Sequence, residues 1–131
     1  MMFMAEVTKA IYDELLSNLL NCSDNIRYAA LYQDGALFRA QRETLRCVSR
    51  HESDYYEEII VNPTLLLLAK QRGDIDCGGL EAIVIQYGNF SQWIRPFHHG
   101  HLSVCLEPSS DIQQETQRIV SFLKKVGTVG G

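Results

Sequence analysis

The sequence predicts an α+β fold in which helices cover a five-stranded antiparallel sheet, in the order α-β-β-α-β-β-β-α. Three observations carry this expectation. Residues 79–107, GLEAIVIQYGNFSQWIRPFHHGHLSVCLE, read as three consecutive strands joined by two tight turns. Asp34-Gly35, set between two β-type runs, is a strong hairpin signal because both residues tolerate positive φ. Apolar stripes of helical period precede, separate and follow these strands.

In chain order, the first helix is expected over residues 5–21, where Val7, Ile11, Leu15 and Leu19 recur every four residues and Leu16 and Leu20 widen the stripe. Ser23-Asp24-Asn25 stops it. Strands follow over 26–33 and 36–43, and residues 44–52 could prolong the second. Ser53 and Asp54 read as N-cap residues, with Glu57 and Glu58 in the first turn of the second helix. That helix contains Asn62-Pro63, and an interior proline costs ~3 kcal/mol. It is therefore expected to be kinked near Pro63 or to begin there, to close at Gly73, and to lead through a loop over 74–78.

The run Leu80 to Gln86 is nearly continuously apolar, as in a strand buried on both faces. Gly88-Asn89, residues that tolerate positive φ, supply a turn across which Tyr87 and Phe90 can sit opposite each other. In the next strand Trp93 and Arg95 share one face, Gln92 and Ile94 the other. After a turn at His98-His99-Gly100, the strand 101–107 places Leu102, Val104 and Leu106 on one face and His101, Ser103, Cys105 and Glu107 on the other. Pro108 ends it. Asp111 with Gln114 offers a capping box for a last helix, whose stripe is Ile112, Thr116, Ile119, Leu123 and Val126 and whose end is Gly127.

The 131 residues carry a net charge of −4, with 46% hydrophobic and 21% charged residues. This is an ordinary globular composition, and its acidity argues against nucleic acid or an anionic membrane as the main partner. No apolar run reaches the ~20 residues of a spanning helix. Cys22, Cys47, Cys77 and Cys105 are scattered without a close pair, as in reduced, mostly packed thiols, and the cytoplasm is the expected compartment.

The candidates for chemistry are sparse. His98, His99 and His101 lie near Cys105, but four residues along a strand span roughly 13 Å, so His101 and Cys105 cannot share a metal ion or a proton. A polar hairpin tip and a packed thiol are the simpler readings. Glu57-Glu58 and Asp74/Asp76 read as a helix start and a loop. Arg39, Arg42, Arg46 and Arg50 form either solvated surface or, if helical, a basic stripe for an acidic partner. No cofactor, metal or catalytic set is expected. The second helix, by contrast, is apolar nearly all round, with Ile59, Ile60, Leu65, Leu66, Leu67 and Leu68. One sheet face covers only one side of a helix, so the excess points to a second copy of the chain, or else to cover from neighbouring loops.

The element order, the Asp34-Gly35 hairpin, the Gly88-centred turn, the Arg95-Pro96 pair late in its strand and the apolar strand 102–106 running into a helix start resemble the Roadblock/dynein light chain family, its MglB-like bacterial members included. The resemblance covers residues 5–126 and implies a single roadblock-like (roadblock/profilin-like) domain over 1–127 with a flexible tail at 128–131. The chain departs from the family in the Ser109-Ser110-Asp111-Ile112 entry to its last helix and in Pro63. The resemblance further implies a homodimer joined by the second helix and the strand after it, here Ile59, Leu66, Leu67, Ala82, Val84 and Gln86. Such a dimer would be a non-catalytic scaffold that binds a small Ras-like GTPase and modulates its nucleotide cycle. Two other classes remain open: an acidic dimeric secretion-type chaperone, which would place three strands before the second helix and two after, and a small-ligand or thiol sensor, which needs a pocket.

Overall fold

A computed structural model describes residues 2–42 and 51–126. The elements are α1 (Met2–Leu20), β1 (Ile26–Gln33), β2 (Ala36–Gln41), α2 (His51–Tyr56), a π-helical segment (Glu57–Val61), α3 (Asn62–Asp76), β3 (Ile83–Gln86), β4 (Ser91–Phe97), β5 (Gly100–Leu106) and α4 (Ile112–Lys125). The expected α-β-β-α-β-β-β-α order holds, with α2, the π segment and α3 forming one continuous second helix. The sheet order is β2-β1-β5-β4-β3, and every pairing is antiparallel. The last strand of the meander thus inserts beside the first hairpin, leaving β2 and β3 as the edges.

Strand register sorts the side chains. Ala29, Leu31, Trp93, Leu102 and Val104 fall on one face, where they join Leu15, Leu16, Leu19, Leu20, Ile119 and Leu123 of α1 and α4 in one apolar core. Trp93, buried in it, donates from Nε1 to Thr116 Oγ1 at 2.9 Å. On the other face lie Tyr28, Tyr32, His101, Ser103, Cys105, Gln92 and Ile94. That face meets the second helix.

Asp34 and Gly35 adopt φ of 51° and 84°, the mirror-image turn that matches strand twist. His98 also has positive φ, and at Gly100 an added Cβ would sit 1.6 Å from the Tyr32 carbonyl oxygen, so no side chain fits there. Asp111 caps α4 by accepting from Gln114 N–H at 3.1 Å. Arg42 fastens the hairpin to the end of α1, donating to the carbonyls of Ile26 at 2.5 Å, Ser23 at 2.6 Å and Leu20.

Several expectations are corrected. α1 begins at Met2, and Val7 and Ile11 are exposed because only its last turns reach the sheet. Within the described residues the second helix is already present at His51, ahead of the expected Ser53-Asp54 cap. It does not begin at Pro63; the break expected there takes the form of a widened turn before the proline, with Asn62 N–H bonded to the Glu57 carbonyl five residues back. A π turn accommodates a ring that would press on the carbonyl four residues earlier. The helix runs past Gly73 to Asp76, so Asp74 and Asp76 belong to it, pairing with Lys70 at 2.7 Å and Arg72 at 2.6 Å. It ends where Gly78, at φ 81°, lets the chain fold back so that Gly79 N–H reaches the Gly73 carbonyl. β3 is shorter than expected and half covered rather than buried on both faces, because it is an edge. Across the Gly88-Asn89 turn, which uses no positive φ, Tyr87 does sit opposite Phe90: its N–H bonds the Phe90 carbonyl, and the two rings lie tilted by 49° with centroids 5.1 Å apart. Val126 is exposed, off the α4 stripe. The expectations for residues 44–50, Cys47, Arg46, Arg50, the Gly127 stop and the 128–131 tail lie outside the described residues.

Candidate functional site

The second helix presents two unlike sides. Toward the sheet, the π turn directs Glu58 and Asn62 inward, where they are 1% and 0% exposed. Both Glu58 oxygens are engaged: Oε1 lies 2.7 Å from His101 Nε2 and accepts from Asn62 Nδ2 at 3.0 Å, and Oε2 accepts from Ser103 Oγ at 2.6 Å. A buried carboxylate is tolerable only with such a full complement of partners. Glu58, read from sequence as a first-turn acid, is thus the anchor of the helix. His101, read as part of a polar hairpin tip, is its buried partner, while His98 and His99 are exposed at the turn. The only signal in the sequence for this anchor was the alternation that set His101 and Ser103 on one face, since nothing marked Glu58 as their partner. His101 and Ser103 both point to Glu58 rather than forming a relay, so the set holds the helix and activates no nucleophile.

Away from the sheet the helix exposes Tyr55, Tyr56, Ile59, Ile60, Leu67, Leu68 and Ile75. Of the expected interface residues, Ile59 is 38% and Leu67 58% exposed, but Leu66 is 7% exposed and covered by its own chain. The placement of Leu66 on the outward side is therefore corrected: one helical step from Leu67 turns it under the helix. Ala82 is half-buried against the core, Val84 is 37% exposed and Gln86 is exposed. Among the described residues β3 pairs only with β4, so its other edge is open. The helix reaches the residues flanking β3 at two points: Tyr87 OH bonds Glu57, and Gly73 packs against the Gly79-Leu80 backbone.

Between the π turn and the β3–β4 turn lies a cleft of about 450 Å³. Its floor is the row Tyr28, Cys105 and Gln92, which the strand register sets side by side, and its walls include Asp54, Tyr56, Glu57, Tyr87 and Phe90. Tyr87 OH donates to Glu57 Oε1 at 2.9 Å, and Cys105 Sγ to Gln92 Oε1 at 3.0 Å. Desolvation by burial pushes the Glu57 carboxyl up from its usual range, and the Tyr87 hydrogen bond pulls it partly back. Burial pushes the thiol of Cys105, read from sequence as packed, well up, which keeps it protonated. Of the other cysteines described, Cys22 is half-buried and Cys77 exposed. Arg39 sits 3.4 Å from Asp54, so together with Arg42 the described part of the arginine run is structural. Among the described residues no group of three or more His, Cys, Asp or Glu side chains could hold a metal ion, and no helix is long and apolar enough to cross a membrane.

Neither a protein-family model nor a curated protein sequence matches the chain. Solved structures do. A Roadblock/LC7 domain from Streptomyces avermitilis superposes with a TM-score of 0.65 at 17% identity, over 87% of this chain and 92% of that one. The fold is that of the roadblock domain. A second match, the gliding protein MglB from Thermus thermophilus, gives a TM-score of 0.61 at 11% identity over 95% of this chain and 91% of that one. At such identities the likeness lies in the backbone fold. Among the described residues, two strands precede the second helix and three follow it, which matches the roadblock expectation rather than that of a secretion-type chaperone.

Proposed function

We propose that this chain is a non-catalytic, cytoplasmic homodimeric scaffold that binds a small Ras-like GTPase and modulates its nucleotide cycle. The observation that carries the reading is the open β3 edge, among the described residues, together with the exposed Ile59, Ile60, Leu67 and Leu68 of the second helix, on a roadblock fold. An apolar edge strand invites pairing, and an apolar helix face of this kind marks a protein contact. A two-fold copy satisfies both: β3 pairs with β3, and the second helix packs beside its mate. Ile59, Leu67, Val84 and Gln86 then form the seam, with Leu66 and Ala82 supporting it from beneath. The resulting continuous sheet and paired helices form the platform for the GTPase.

The dimer is tested by light scattering at micromolar concentration, with an expected mass of two chains and a buried area of roughly 2,000 Å². Leu67→Glu should yield a folded monomer. A wild-type monomer across that range would refute the assembly. The GTPase is tested by adding the wild-type dimer and Leu67→Glu to purified small Ras-like GTPases and following phosphate release and nucleotide exchange. A change in either rate with the dimer alone is the expected result.

A further inference from the structure

The cleft between the π turn and the β3–β4 turn holds polar atoms that the fold leaves without partners. Tyr28 OH, Glu57 Oε2 and Gln92 Nε2 are all buried with no hydrogen-bond partner among the described residues, and all three residues line it. Gln92 is 1% exposed and its amide oxygen already takes the Cys105 thiol, so its unpaired N–H is fixed in place. A buried polar atom left unpaired costs about 1–3 kcal/mol, and three in one cleft are an unusual concentration. The lining also has a definite charge. Asp54, Glu57 and Glu58 contribute to it, and among the described residues no lysine, arginine or histidine does. The nearest described arginines are committed, Arg39 to Asp54 and Arg27 to Glu107 and the Asn89 carbonyl. Glu58 is saturated by His101, Ser103 and Asn62, so Glu57 is the acid with an open lone pair. The rings of Tyr28, Tyr56, Tyr87 and Phe90 line the same space. Aromatic faces beside an unpaired carboxylate oxygen favour a cation, and they accept a flat ring as well.

We propose that this cleft binds a small organic amine: an aromatic ring that packs against the tyrosine and phenylalanine walls, an ammonium that donates to Glu57 Oε2, and an oxygen that accepts from Gln92 Nε2 and Tyr28 OH. The volume of about 450 Å³ falls in the range of small-molecule sites and suits a ligand of this size. The proposal is independent of the GTPase platform, since the cleft and its partners lie within one chain.

The test uses three probes on one skeleton: tyramine with an ammonium, tyrosol with a hydroxyl and 4-hydroxyphenylacetate with a carboxylate. Calorimetric titration of the wild-type protein should show tyramine binding at least about tenfold more tightly than tyrosol, and no heat from the carboxylate at millimolar concentration. Glu57→Gln should lower tyramine affinity about tenfold and leave tyrosol unchanged, with the fold checked by circular dichroism. Tyr28→Phe removes a hydroxyl that has no partner among the described residues, so it should fold normally and weaken both tyramine and tyrosol. If Glu57→Gln fails to fold, the wild-type probe series and Tyr28→Phe decide. Equal affinity for tyramine and tyrosol, binding of the carboxylate, or no binding of tyramine at millimolar concentration would overturn the proposal.

Discussion

The two faces of the sheet are closed by different physics. The α1–α4 face is a continuous apolar core, in which Leu16, Leu19, Ile26, Leu31, Trp93, Leu102, Leu106 and Ile119 are at most 1% exposed. The face under the second helix is held by a carboxylate and its three partners, flanked by a cleft with unpaired polar atoms, while the helix turns most of its large apolar side chains outward. Hydrophobic burial is non-directional and fixes the first face through area alone. A hydrogen-bonded anchor is directional and holds the second helix at the turn that carries Glu58, while much of the helix's apolar surface stays exposed. One face is closed by apolar area, the other by a few directed bonds.

The contrast can be broken most severely at the apolar face. Trp93→Ala should cost about 3–5 kcal/mol in urea unfolding through the cavity it opens and the lost bond to Thr116. The anchor should behave differently. Glu58→Ala should cost about 3 kcal/mol by leaving His101, Ser103 and Asn62 buried without their acceptor, whereas the double replacement Glu58→Leu/His101→Leu should recover much of that loss. If the double variant is no more stable than Glu58→Ala, the face is held by packing after all. On the outward side of the same helix, Leu67→Glu should leave subunit stability within about 0.5 kcal/mol of wild type when unfolding is measured at concentrations too low for a dimer. A large loss there would mean that Leu67 is part of the subunit's own core.

The smallest effect concerns the cleft. The Glu57 carboxyl is raised in the folded chain, chiefly by desolvation, so the folded state binds its proton more tightly than the unfolded state does. Stability from this group therefore falls as pH rises from the unfolded value toward the folded one. Glu57→Gln should gain slightly over wild type at neutral pH, and that gain should shrink as both are measured below the ordinary carboxylate range. Thermal unfolding at several pH values checks it, and an unchanged difference across pH would contradict the burial of this group.

The order of strands, the Asp34-Gly35 turn and the α4 cap were legible because each rests on local chemistry. Asp34-Gly35 dictates its turn through backbone conformation, Asp111 caps α4 through a side chain three residues from its donor, and the alternation from His101 to Leu106 divides one strand between two faces. The apolar excess of the second helix was also visible, and with it the expectation of a partner. The orientation of that helix was not. Whether Leu66 or Leu67 faces outward depends on helical phase, and the π turn resets that phase at a proline that looked like a break or a start. Nor could Glu58 be told from Glu57 in the sequence, since they are adjacent acids of equal propensity. Sequence by itself determined where helices and strands form, because that choice is made between near neighbours. Only the tertiary structure decided which acid is buried, which leucine is free and which polar atoms are left unpaired, because those depend on residues distant in the chain, such as Glu58 and His101, meeting across the sheet.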